Sequence, residues 1–238
     1  MQKRFDIITL FPEFFASPLE SSLLAKAAKK GLLKIKVHDL RTFGLGPHQQ
    51  VDDRPFGGGP GMVIRADVLA TCLRKLTLEA EEGKKPYVIL LDPSGTTLTQ
   101  KKATSLLIKD WVILIAGHYE GVDERFKQIF VNEEISIGDY ILSGGETAAL
   151  VLLEVVARLI PGFVGKREST EKESFNKVTV EGQEKTLLDY PVYTRPEDFE
   201  GKKVPGVLTS GNHEKIRQWR LEQAIAKTKL KRPDLLEN

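Results

Sequence analysis

Short apolar runs alternate with helical patterns along the first two-thirds of the chain. FDIITLF, LLKIKVHDL, PYVILLD, WVILIAG and EISIG read as strands, several of them apolar at consecutive positions. SLLAKAAKK, ADVLATCLRKLTLEA, TQKKATSLL, VDERFKQIFV and ETAALVLLEVVARLI repeat their apolar residues at helical spacing. Such alternation predicts an α/β domain with a mainly parallel sheet whose apolar strands are covered by helices.

The pattern changes after Ile160. Pro161 and Gly162 stop a helix that is apolar nearly all round, with only Glu154 and Arg158 charged after its first residue. A helix of that kind needs cover on more than one side, from a core or from a second subunit. Residues 165–185 are polar and hold no sustained period, which predicts an interdomain linker. Beyond it come a proline-punctuated stretch, DYPVYTRPEDFEG, and a helix from about His213. The expected layout is a main domain over 1–164, the linker over 165–185 and a small, mainly helical domain over 186–238.

Composition narrows the class. At 238 residues with 41% hydrophobic and 29% charged positions, this is an ordinary globular chain. No apolar run reaches the roughly 20 residues of a membrane helix, and Asp6 breaks the N-terminal run, so a soluble, cytoplasmic protein is expected. Cys72 is the single cysteine, and His38, His48, His118 and His213 show no metal-ligand spacing, so neither an internal disulfide nor a structural metal is expected. Net charge is +2, but from Gly201 onward nine Lys and Arg face four Asp and Glu. That basic tail fits an anionic partner or simply a solvated helix.

Three glycine-rich loops stand out: DDRPFGGGPGM (Asp52 to Met62), DPSGT (Asp92 to Thr96) and SIGDYILSGGE (Ser136 to Glu146). The last two, and GHYEGVDER after WVILIAG, follow apolar strands, where an open α/β sheet binds ligands. GGGPG is followed by Met62 and Val63 where a P-loop needs Lys and Ser or Thr. FPEFF occupies the first strand's end where a dinucleotide fingerprint belongs. The G-x-S-x-G elbow and metal-binding histidine pairs are missing too. A nucleoside lacking phosphates suits these loops, with Ile137, Tyr140 and Leu142 enclosing it, as S-adenosylmethionine requires; tight turns with no ligand are the alternative.

DDRPFGGGPGM, GHYEGVDER, SIGDYILSGGE, ARLIPG, LLDYPVYTRP and SGNHEKIRQWR, in this order, resemble the signature blocks of the bacterial tRNA (guanine-N1)-methyltransferase family, TrmD, of the SPOUT class. The resemblance implies a SPOUT-type parallel sheet ending in a C-terminal trefoil knot, with S-adenosylmethionine bound there. Carried over, cofactor contacts fall on Leu91, Pro93 and Gly95, on Gly117, Tyr119 and Glu120, and on Ile137, Gly138, Asp139, Tyr140, Ile141, Leu142, Gly144 and Gly145.

The resemblance further implies methylation of N1 of guanosine 37 of tRNA, where another guanosine precedes it. Guanine N1 needs a base, and the charge that develops at O6 needs a cation. Arg158 matches the family's arginine near O6. Glu173, in Glu173-Ser174-Phe175, falls where the family has an aspartate base; one more methylene displaces the carboxylate unless the backbone compensates. A solvated linker charge is the other reading of Glu173.

Asp52, Asp53, Arg54 and Gly59 border the guanosine site by resemblance. Lys215, Arg217 and Arg220 suit phosphate contacts with the anticodon stem-loop, Tyr193 suits stacking or packing, and His213 suits RNA contact or a helix cap. A homodimer with shared active sites is implied, as is Mg²⁺, for which Glu120 and Glu173 are the candidate ligands. The rival readings are another SPOUT RNA methyltransferase, an RNA-binding relative without turnover, and an ATP-binding protein.

Overall fold

The computed structural model describes residues 2–78, 84–164, 173–180 and 182–237, and the chain divides into two units, Met1–Gly165 and Lys166–Asn238. In the first unit, five strands form one sheet: β1 (Lys3–Thr9), β2 (Leu33–Asp39), β3 (Tyr87–Thr97), β4 (Trp111–Ala116) and β5 (Glu133–Ser136). Their order is β2-β1-β4-β3-β5 and every pairing is parallel. All five expected strands are present, as are the five helices: α1 (Ser22–Lys29), α2 (Ala66–Leu78), α3 (Gln100–Leu106), α4 (Glu124–Phe130) and α5 (Glu146–Arg158).

The apolar runs are continuous because both faces of the sheet are covered. Along β4, Val112 and Leu114 join the core beneath α1, α3 and α5, while Trp111, Ile113 and Ile115 join the core beneath α2 and α4. Each fully buried aliphatic or aromatic side chain contributes about 1.5–3 kcal/mol. Cys72 lies in the second core, where burial pushes its thiol up to about 12.

One charge sits in this core with its partners. Asp6, fully buried on β1, accepts from Arg4 Nε at 2.6 Å and Trp111 Nε1 at 2.7 Å, and lies 2.6 Å from His38 Nε2. Burial pushes the Asp6 carboxyl up, but its hydrogen bonds to His38, Arg4 and Trp111 outweigh that and hold it below the ordinary carboxylate range.

In the second unit, Asn176–Val180 (β6) and Gln183–Leu187 (β7) form an antiparallel hairpin in the register Val178↔Lys185. The hairpin occupies much of the stretch read as an interdomain linker over 165–185, of which residues 165–172 and 181 lie outside the described residues. Val178 and Val180 alternate with Lys177 and Thr179, so only one face is apolar and the period is brief. The helix α6 (His213–Lys231) is capped by Asn212, whose Oδ1 accepts from Lys215 N at 3.1 Å. His213 is therefore the first helical residue and not the cap. Thr228 Oγ1 accepts from Leu188 N at 2.9 Å, fastening the chain after β7 to α6.

Candidate cofactor and substrate site

The parallel strands β3, β4 and β5 end together. Leu91 pairs with Ala116 on one side and Ile135 on the other, and then β3 slips register so that Thr96 also lies opposite Ile135. The extra residues, Asp92 to Gly95, bulge from the sheet. Asp92 Oδ1 closes the bulge, accepting from Ser94 N at 2.9 Å and Ser94 Oγ at 2.6 Å. Its other oxygen lies 3.4 Å from Lys127 Nζ, which also reaches Glu134 at 3.0 Å. Burial pushes the Asp92 carboxyl up, and the Ser94 and Lys127 contacts more than offset it, leaving it below the ordinary carboxylate range.

Two loops fold over these strand ends. Gly145 N donates to Gly117 O at 2.7 Å, and His118 and Gly144 form an antiparallel bridge. A side chain at Gly145 would place its Cβ 2.8 Å from Ala116 Cα and Gly117 N, so the crossing requires glycine. Tyr119 holds a φ of 60°, turning the chain at the rim.

The space enclosed is a cavity of about 280 Å³. Leu91 and Pro93 line it from β3, and Gly117, Tyr119 and Glu120 from the loop after β4. Ile137, Gly138, Tyr140, Ile141 and Leu142 line it from the loop after β5, with Gly144 and Gly145 at its end. Two expected contacts fall elsewhere. Gly95 packs against the Glu134–Ile135 backbone, leaving no room for a side chain, and Asp139 is exposed and off the cavity wall. The arrangement fits S-adenosylmethionine in kind: backbone polar groups and apolar side chains share the wall, and the missing Cβ atoms leave the backbone open to a base edge.

A polar group beneath this wall escaped the sequence reading. Thr9 Oγ1 donates to Glu146 Oε1 at 2.7 Å, Glu146 is 5% exposed, and its Oε2 lies 3.7 Å from Nε2 of His118, a wall residue. His118 and Glu146 sit inside two of the quoted blocks, which was the available signal; Thr9 lies outside all of them and carried none.

The GGGPG loop reaches the same rim. A two-residue ladder joins Asp52–Asp53 to Val63–Ile64, and Glu120 N donates to Met62 O at 3.0 Å. Gly57, Gly58, Gly59 and Gly61 all hold positive φ, and Gly61 lies against the Glu120 side chain. Asp53 pairs with Arg65 at 3.0 Å, while Arg54 is exposed. Arg158, half-buried, ends α5.

In the second unit, Glu173 is exposed at a cavity of about 220 Å³ that Asp189, Arg217 and Arg220 also line. A neighbouring cavity of about 440 Å³ is lined by Tyr190, Tyr193, Arg195 and Arg220 among others. The rings of Tyr193 and Trp219 stand 6.3 Å apart, so packing and stacking are both open to Tyr193, which is half exposed. Lys215 and His213 are exposed on the first turn of α6, and Arg217 pairs with Glu214. Among the described residues, no group of three or more His, Cys, Asp or Glu could hold a metal ion, so the magnesium expectation finds no protein cage. No described helix is long and apolar enough to cross a membrane.

A glycine-cradled cavity beyond the carboxyl ends of parallel strands sets this chain among the open-sheet α/β proteins, in which that position is where ligands are held. The chain belongs to the tRNA (Guanine-1)-methyltransferase TrmD family, whose model matches residues 3–238. It is 51% identical to a tRNA (guanine-N(1)-)-methyltransferase of Dictyoglomus turgidum over 98% of this chain and 90% of the relative. Proteins of the same name from Streptococcus uberis and Streptococcus pyogenes are 49% and 48% identical, covering 98% and 99% of this chain and 92% and 90% of theirs.

Proposed function

We propose that this chain transfers the methyl group of S-adenosylmethionine to N1 of guanosine 37 in tRNA. The observation that carries this reading is the coincidence of the glycine-crossed cavity with the family match along the whole chain. The first unit is read as the SPOUT domain, with the cofactor in the cavity and the loop from Ile137 to Gly145 completing a trefoil knot. The return of that loop across Ala116 and Gly117 supports the knot. The second unit is read as the tRNA-binding domain, gripping the anticodon stem-loop through its basic helix.

When bound, S-adenosylmethionine supplies a methyl group already activated by a sulfonium, so the protein's work falls on the guanine. Glu173 accepts the N1 proton, and Arg158 stabilises the negative charge that moves toward O6 as the proton leaves. A carboxylate is a weak base for N1 in water, so the acidifying effect of Arg158 is needed as well as the proton acceptor. No step is assigned to magnesium.

A homodimer with shared sites follows from the same reading. On α5, the half-buried Leu150 and Val155 and the exposed Val151 form an apolar stripe on the side that carries Arg158. A second subunit covering that stripe would bring one chain's Arg158 to the other's Glu173. A cytoplasmic location follows from the substrate.

The test is methyl transfer from labelled S-adenosylmethionine to a tRNA transcript with guanosine at positions 36 and 37. Wild type is expected to transfer and Glu173→Gln to be nearly inactive. Mixing Glu173→Gln with Arg158→Ala is expected to restore part of the activity, because a mixed dimer holds one intact site. Binding of tRNA and cofactor by wild type without transfer would replace this reading with that of an RNA-binding relative.

A further inference from the structure

At the cavity of the first unit, β3 bulges out of its sheet. Asp92 to Gly95 fall between the two residues, Leu91 and Thr96, that both lie opposite Ile135, and the pairing with β4 ends at Leu91. Asp92 and Pro93 line the cavity from this bulge, so part of the wall is placed by side-chain contacts where a strand ladder has stopped. The far end of the bulge is fixed by Gly95, which lies against the Glu134–Ile135 backbone. The near end is held through Asp92: one oxygen accepts from Ser94 N and Ser94 Oγ, and the other lies 3.4 Å from Lys127 Nζ.

Lys127 reaches the bulge from behind the cavity wall. It belongs to α4, which Phe126 anchors in the core and Asp123 caps, accepting from Arg125 N at 2.9 Å. Its ammonium lies among three carboxylates, 3.0 Å from Glu134, 3.4 Å from Asp92 and 3.9 Å from Glu124. The side chains of Lys127 and Asp92 are 14% and 17% exposed, so water screens this pair less than a surface one. Burial pulls the Lys127 ammonium down, but its bond to Glu134 and the charge of Asp92 more than offset that and hold it above the ordinary lysine value. With the cation removed, Asp92 and Glu134 become neighbouring like charges. Turning Asp92 away relieves the repulsion and undoes the Ser94 bonds that shape the bulge.

We propose that Lys127 is a positioning residue for the methyl donor: acting through Asp92, it fixes the bulge that sets Pro93 on the cavity wall, and so governs cofactor affinity without lining the cavity itself. The proposal rests on the reading of that cavity as the S-adenosylmethionine site. The competing account gives Lys127 only the task of tying α4 to β5 through Glu134. That account predicts lower stability and unchanged cofactor affinity.

The test combines methyl-transfer kinetics with calorimetry of S-adenosylhomocysteine on wild type, Lys127→Met, Lys127→Arg, Asp92→Asn and the double variant Lys127→Met/Asp92→Asn. Lys127→Met keeps the apolar stem and loses the charge. It is expected to raise KM for S-adenosylmethionine and weaken S-adenosylhomocysteine by about tenfold, while KM for tRNA and kcat at saturating cofactor stay within about twofold. Lys127→Arg, which restores the charge, should recover most of the loss. Asp92→Asn keeps an acceptor for Ser94 and removes the charge that faces Lys127, so the double variant should bind within about twofold of the weaker single variant. Urea unfolding checks that each variant folds, and Lys127→Gln replaces Lys127→Met if the latter does not. Unchanged cofactor KM and affinity in a folded Lys127→Met with a lowered unfolding midpoint, or additive effects of Lys127→Met and Asp92→Asn, overturn the proposal. Binding of S-adenosylhomocysteine by wild type in that case leaves the cofactor site standing, whereas failure of wild type to bind it defeats the reading of the cavity itself.

Discussion

The cavity of the first unit and the one that carries Glu173 in the second are built in opposite ways. In the first unit the wall is largely backbone and glycine, and Asp92, Lys127 and Glu146 around it are paired within the chain. In the second unit the chemistry is carried by side chains on a hairpin, a proline-rich stretch and one helix, and two of their polar atoms have no partner among the described residues. The first design suits a small ligand of constant shape, since a rigid backbone needs no reordering on binding.

The sharpest way to divide the two regions is Glu173→Gln. Loss of a positioned proton acceptor is expected to lower methyl transfer by about 10²- to 10⁴-fold. Calorimetry of S-adenosylhomocysteine binding should register no change, since the cavity proposed for the cofactor is lined by the first unit. Transfer within a few-fold of wild type would return the Glu173 segment to the status of a charged spacer.

Asp6→Asn tests whether the first unit depends on its satisfied buried charge. Removing a partner from so enclosed a set is expected to cost about 3 kcal/mol or more, read from urea unfolding. The Asp6 carboxyl is held below its ordinary value, so its contribution is complete above the unfolded value near pH 4 and is lost as pH falls through the folded value. The wild-type unfolding midpoint should therefore fall with acidification below about pH 4, and the fall should be shallower in Asp6→Asn. An equal slope in both proteins would mean that other carboxylates govern the acid limb.

Gly145→Ala is the mirror of Glu173→Gln. The added Cβ meets backbone 2.8 Å away, and the resulting overpacking is expected to cost about 1–3 kcal/mol. Cofactor affinity should fall at least about tenfold if that strain is relieved by moving the loop, while stem-loop affinity without cofactor stays the same. The smallest effect is expected from Lys215→Ala: a modest loss of tRNA affinity, and a salt dependence shallower by about 0.7–0.9 in log–log slope for one lost phosphate contact.

Legibility in the sequence followed the kind of interaction. β1 to β5 and α1 to α5 could be read because burial on both faces or on one helical stripe leaves a strong pattern in a single stretch. The cavity loops could be read because glycine is the visible trace of close backbone approach, and Gly117, Gly144 and Gly145 do line the wall. Gly95 carries the same trace, and the close approach it marks is to the Glu134–Ile135 backbone of β5. The β6–β7 hairpin was missed because its apolar positions are few and half its residues face solvent. Asp189 and Tyr190 carried no periodic signal, and Thr9 gave no hint of a partner far along the chain, because sequence order says nothing about side chains that meet across the fold.

That separation has a consequence for how the protein comes into being. Thr9 is made early and stands 137 residues ahead of Glu146, the residue its hydroxyl bonds. On the ribosome, the first strands can leave the tunnel and pair long before the segment that closes the cavity has been synthesised. A chain ending at Ser136 would contain all five strands of its sheet and none of the loop from Ile137 to Gly145 that lines the cavity, so the cavity is completed late in synthesis, as that loop and α5 emerge.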